Sequence, residues 1–127
     1  MRYLLDTNFL IGFLRGHEVY IRKLKEIVNS EHFISSITVT EIYAGCHRNE
    51  EDKTSEFLSK LVVIPVSAYI AREAGKLVYH YFTRGKKLYN EDAIIAATTK
   101  IHRLVLLTQN VKDFPMLYPS QIEKFPN

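Results

Sequence analysis

The sequence predicts an α/β protein of three layers, a short central parallel sheet flanked by helices. Three observations lead there. Strand-like runs such as Leu104-Val105-Leu106-Leu107 are short and apolar at every position, which is how strands read when both faces of a sheet are covered. Segments with helical spacing of apolar residues alternate with those runs, as crossovers between parallel strands require. The chain has 127 residues and 46% apolar composition, enough for one core, and no Gly/Ser linker or internal repeat divides it, so a single domain over 1–127 is expected.

Residues 2–5 form an apolar burst ended by Asp6, and 7–14 carry apolar residues at 9, 10, 11, 13 and 14, so a strand runs into a helix. Over 18–28, Val19, Ile21, Leu24, Ile27 and Val28 keep mostly helical spacing, and Phe33-Ile34-Ser35 reads as a short buried strand. Thr38 is expected to cap the next helix, whose stripe of Val39, Ile42, Tyr43 and Cys46 stops around 45–47. The charged run 48–53 reads as an exposed turn, 55–60 as a short helix, and the β-branched run 61–64 as a central strand closed by Pro65. A long helix over 67–83 puts Ile70, Ala74, Leu77, Val78 and Tyr81 on one face and breaks at Arg84-Gly85-Lys86-Lys87. The helix over 90–101 is rich in alanine, which allows close packing on a sheet; strands over 104–107 and 122–125 complete the chain.

Composition excludes several classes of function. A net charge of +3 and a pI near 9.0 attract anions without specifying nucleic acid. Asp6 interrupts the N-terminal apolar run too early for a signal segment, and no stretch approaches a membrane span, so a cytoplasmic protein without membrane contact is expected. The single cysteine, Cys46, allows neither an internal disulfide nor a thiolate zinc site, has no evident activating partner, and is expected to pack in the core.

Three carboxylates invite a chemical reading, each with an ordinary alternative beside it. Asp6 follows the first strand, at the rim where α/β proteins place ligands, and an aspartate before a helix is equally a routine N-cap. Glu41 borders the apolar face of its helix; it is either solvated or turned inward, where a cation or hydrogen bonds must offset its desolvation. Asp92 begins the helix over 90–101, where acid also favours the helix dipole. Glu91 beside it points about 100° away around the helix, so Asp92, in register with Ala93 and Ala96, is the candidate. A parallel sheet brings all three to one rim, and grouped carboxylates are the ligands that hard divalent cations prefer.

Four strings carry a resemblance: Leu5-Asp6-Thr7-Asn8-Phe9-Leu10-Ile11, Ser36-Ile37-Thr38-Val39-Thr40-Glu41-Ile42-Tyr43-Ala44-Gly45, Asp92-Ala93-Ile94-Ile95-Ala96-Ala97-Thr98, and Leu106-Leu107-Thr108-Gln109-Asn110-Val111-Lys112-Asp113-Phe114. In this order and spacing they resemble the PIN-domain ribonucleases, and within them the VapC-like toxins of type II toxin-antitoxin systems. The resemblance implies a PIN-like fold in which Asp6, Glu41 and Asp92 are catalytic carboxylates binding Mg2+ or Mn2+. Many relatives place a further acid where this chain has Asn110; Asp113, three residues on, either joins the metal or caps a turn. Thr7, Asn8, Thr108 and Asn110 are then residues that orient carboxylates, waters or substrate.

The implied reaction is in-line hydrolysis of an RNA phosphodiester by water made acidic by the cation. Arg84, Lys86 and Lys87 are candidate phosphate contacts, and each is equally a charged residue of an exposed loop. Tyr79, Tyr81 and Tyr89 either stack on bases or fill a core. The resemblance further implies a homodimer and a cognate VapB-like antitoxin, sought around 7–28 and 38–47. A phosphoacceptor domain is disfavoured because Pro65-Val66-Ser67, without an acceptor Asp, follows the strand at 61–64; an aspartate-nucleophile phosphatase is disfavoured by Asn8 two residues after Asp6. The alternative is a catalytically silent PIN-like module that binds RNA or protein.

Overall fold

The computed structural model describes residues 1–127. Five strands, β1 (Arg2–Leu5), β2 (Glu31–Ser35), β3 (Val62–Ile64), β4 (Val105–Thr108) and β5 (Ile122–Lys124), form one all-parallel sheet in the order β3-β2-β1-β4-β5. Six helices connect them: α1 (Thr7–Leu14), α2 (Glu18–Glu26), α3 (Ser36–Gly45), α4 (Glu51–Leu58), α5 (Ala68–Phe82) and α6 (Asn90–Ile101). The three-layer α/β expectation holds.

Alternation along each strand splits the core in two. In β1, Tyr3 and Leu5 face the layer of α1 to α4 with Phe9, Leu10, Tyr20, Ile34 and Ile42, while Leu4 faces α5 and α6 with Ile70, Ala74, Ala93 and Ala97. Leu106 and Leu107 of β4 divide in the same way. Leu4, Leu5, Leu106 and Leu107 are therefore all fully buried, which is why the central strands carry apolar residues toward both faces.

Two close fits fix how the helices leave the sheet. Gly12 lets α1 meet α2: a Cβ there would stand 2.3 Å from the Tyr20 ring, which packs edge-on to Phe9 and Phe125. At the other face, Gly85, with φ +72°, ends α5 by letting Gly85 N–H donate to Phe82 O and Lys86 N–H to Tyr81 O, a reversal that turns the chain toward α6.

Four local expectations are corrected. The run 61–64 is the edge strand of the sheet, not a central one, and Val62 and Val63 are exposed there; β-branched residues favour strand geometry whether or not a second neighbour covers them. Ser35, not Thr38, caps α3, its Oγ accepting from Ile37 N–H at 3.2 Å, while Thr38 is buried inside the helix. Within 48–53, a turn of 3-10 helix over Arg48–Glu50 leads directly into α4 at Glu51, whose start Glu51 and Asp52 suit electrostatically. Cys46 lies half-buried at the end of α3, outside both core clusters.

Candidate functional site

From β1 the chain steps outward to β2 and then β3, and α5 and α6 carry it back across the sheet to β4 on the other side of β1. At such a switch in strand order, the connections beyond the C-terminal strand ends diverge and leave a crevice. Asp6 follows β1 immediately, and Thr108 is the last residue of β4, so one stands on each side of it.

These two side chains meet. Thr108 Oγ1 donates to Asp6 Oδ2 at 2.7 Å and accepts from Asn110 N–H at 3.1 Å; Asp6 Oδ1 accepts from Thr7 N–H at 2.8 Å. Asp6 thus occupies the N-cap position of α1, but its second oxygen is bound by another strand, which capping alone does not require. Burial pushes its carboxyl above the ordinary range, the hydrogen bonds from Thr108 and Thr7 pull it down, and the charge of Asp113 adds to the rise.

Glu41, half-buried on α3, is held from α1: the Thr7 hydroxyl lies 2.7 Å from Glu41 Oε1 and 3.4 Å from Thr38 Oγ1. One hydroxyl has one proton, and it serves the shorter contact with the carboxylate. The sequence assigns Thr38 only a capping role; the signal for its actual placement is its spacing, three residues before Glu41 on the same helix face.

Asp92 sits in the first turn of α6, half-buried and without a hydrogen bond to its carboxyl group, whereas Glu91 is exposed. Its carboxyl is pushed up to about 6, first by burial and then by the charges of Asp113, Asp6, Glu41 and Glu91. Asp113 ends the 3-10 turn Val111–Asp113, so the crevice gathers the field of four carboxylates from α6, the end of β1, α3 and the turn after β4. Asp6, Glu41, Asp92 and Asp113 form no ion pair.

The remaining expected residues divide. Asn110 is half-buried beside Thr108, with its side chain free of protein hydrogen bonds. Asn8 is exposed and bonds to none of the four acids, because one residue beyond Thr7 the helix has turned its side chain away. Arg84 Nη1 donates to His80 O at 2.9 Å and to Thr83 Oγ1 at 3.2 Å, while Lys86 and Lys87 are exposed between α5 and α6.

No three His, Cys, Asp or Glu side chains converge into a preformed metal cage. The donor set nevertheless fits a hard divalent cation: it is all oxygen, partly desolvated, mutually repelling and uncompensated by any Lys or Arg. Carboxylates gathered at the strand switch of a small parallel sheet define the class of protein, an α/β domain with an acidic rim beyond the C-terminal strand ends.

The comparison with known proteins makes the class specific. Residues 3–115 match the PIN domain family, and the chain belongs to it. Among its relatives, Ribonuclease VapC19 of Mycobacterium tuberculosis is 33% identical over 115 residues, covering 89% of this chain and 92% of that protein. Of solved structures, VapBC2 from Rickettsia felis bound to a DNA fragment from their promoter superposes with a TM-score of 0.81 at 27% identity, covering 98% of this chain and 99% of the other. A toxin-antitoxin complex from Klebsiella pneumoniae gives 0.79 at 33% identity, with 96% of each chain covered.

Proposed function

We propose that this chain is an endoribonuclease that hydrolyses RNA phosphodiester bonds with Mg2+ or Mn2+, and that it is the toxin of a toxin-antitoxin pair. The single observation that carries the chemistry is the shared field of Asp6, Glu41, Asp92 and Asp113 with no cation of the chain to balance it. Ribonuclease relatives and toxin-antitoxin complexes of the same fold support the substrate and the antitoxin partner. A VapB-like antitoxin and a homodimer belong to the same reading.

Asp6, Glu41 and Asp92 hold the ion in this reading, and Asp113 adds the fourth charge. When bound, a divalent cation makes water more acidic and offsets charge on the phosphodiester. Thr108 aims Asp6, and Thr7 aims Glu41, so the positions of these two carboxylates are set by hydrogen bonds before any ligand arrives. Asn110, half-buried beside Thr108, carries a neutral amide free of protein hydrogen bonds, able to accept from or donate to a water or a substrate oxygen. Arg84, Lys86 and Lys87 draw the anionic strand to the start of α6, where Asp92 stands.

Incubation of purified protein with RNA and Mg2+ or Mn2+ tests this. Cleavage is expected from the intact chain and is lost in Asp6→Asn and Asp92→Asn, while Glu41→Gln loses activity with near-normal folding. Intact RNA with every divalent ion would favour the silent module instead. Co-purification with the product of a short adjacent reading frame tests the toxin assignment, and sedimentation tests the dimer.

A further inference from the structure

A groove of about 690 Å3 lies between the end of α5 and the start of α6. Val78 and the buried Leu88 contribute to its lining, and Phe82 and Tyr89 line it while remaining 74% and 59% exposed. Two large rings left open on one groove call for an occupant. Lys86 and Lys87 line it as well; neither pairs with a carboxylate, and Lys87 Nζ lies 4.9 Å from the Tyr89 ring centroid. Asn90 and Glu91, in the first turn of α6 that also carries Asp92, complete the lining, so the groove lies at the same end of that helix as the acidic site.

We infer that this groove is the subsite for the unpaired nucleotides flanking the bond to be cut, with Tyr89 and Phe82 stacking on bases and Lys86 and Lys87 holding the adjoining phosphates. The inference rests on the ribonuclease reading. Aromatic faces beside a cationic rim match the two parts of a nucleotide, the base and its phosphate, and the match tolerates any base because every base has a π-face. Paired bases keep their faces covered, so a duplex does not satisfy the rings. A second copy of this chain is the poorer occupant, since lysine is depleted from the buried centres of protein interfaces and here two lysines line the groove. Leu88 anchors the loop in the core, which holds Lys87 and Tyr89 in place without any ligand.

The test is binding of a fluorescein-labelled, unstructured RNA of about ten nucleotides, followed by anisotropy in EDTA so that affinity is read without cleavage. Tyr89→Ala and Phe82→Ala are each expected to weaken binding about tenfold, and Tyr89→Phe to restore it. Lys86→Gln with Lys87→Gln should flatten the dependence of log affinity on log salt by about 0.7 for each phosphate that is no longer neutralised. Tyr118→Ala, which removes a ring 69% exposed outside this groove, should change nothing. Both groove rings are exposed, so their removal leaves the core intact, and circular dichroism checks that.

Unchanged affinity in Tyr89→Ala and Phe82→Ala overturns the inference, as does a loss of self-association in those variants with RNA affinity per chain preserved. If they bind normally while Asp92→Asn still abolishes cleavage, the subsite is wrong and the ribonuclease stands. An intact chain that neither binds nor cuts RNA sinks both.

Discussion

Asp6 and Asp92 contribute to one crevice, yet the protein holds them in opposite ways. Asp6 receives two hydrogen bonds, from Thr7 N–H and Thr108 Oγ1, and Glu41 beside it receives one from Thr7 Oγ1. Asp92 and Asp113 receive none, and burial together with repulsion raises the Asp92 carboxyl to about 6. One half of the site is therefore positioned by threonine hydroxyls, and in the other half Asp92 is partly desolvated without a hydrogen bond while Asp113 stands exposed beside it. In the proposed metal-dependent reading the difference separates two tasks: the first half would set where a cation goes, and the second would make its arrival favourable.

The largest expected effect tests whether both halves serve one ion. Asp6→Asn and Asp92→Asn should each reduce single-turnover RNA cleavage at saturating Mn2+ by roughly a hundredfold or more. Full activity in either variant breaks the comparison, because the two carboxylates then do not share a ligand. Next comes Thr108→Val, which leaves Asp6 Oδ2 and the Asn110 N–H without their partner. Calorimetry should find Mn2+ affinity reduced about 10- to 100-fold and denaturant unfolding a stability loss of about 1–3 kcal/mol, with Thr108→Ser restoring both. Thr7→Val removes the hydrogen bond to Glu41 alone and should lower Mn2+ affinity by about tenfold, with a melting temperature close to that of the unaltered chain.

The smallest effect distinguishes the halves by stability. A carboxyl raised in the folded chain binds more protons there than in the unfolded chain between pH 3.8 and about 6, so stability contributed at Asp92 rises as pH falls through that window and is a penalty above it. Thermal melts in EDTA should show Asp92→Asn more stable than the unaltered chain at neutral pH and flatter with pH. The gain is about 1 kcal/mol once solvent screening of a half-exposed group is allowed for. Asp6→Asn should show no such gain, since its amide nitrogen then confronts a donor from Thr7 or Thr108. Equal stabilisation by the two substitutions removes the distinction, and Mn2+ should raise the melting temperature of the intact chain most at neutral pH.

Much of this was legible in the residues. Continuous apolarity in β1 and β4 reports burial on both faces, and a parallel sheet sends Asp6, Glu41 and Asp92 to one rim whatever the details of packing. What escaped depends on neighbours that spacing does not encode. Val62 and Val63 read as central because β-branching says nothing about how many strands flank a strand. Thr38 and Ser35 are both plausible caps by residue type, and only the backbone at Ser35, which leaves β2 and enters α3 in one step, decides between them. The influence of Asp113 on both Asp6 and Asp92 depends on the 3-10 turn that carries it, packed against β5, and no periodicity announces such a turn.

The central strand pairing of β1 with β4 joins the beginning of the polymer to a part made long afterwards: the Thr108 to Asp6 bond spans 102 positions. While a ribosome has released everything through α6, all three carboxylates at Asp6, Glu41 and Asp92 exist, but β1 has an open edge and Asp6 lacks the hydroxyl that orients it. Domains fold as units once their pieces are present. The sheet and the Asp6 side of the crevice are therefore completed together, when β4 pairs with β1.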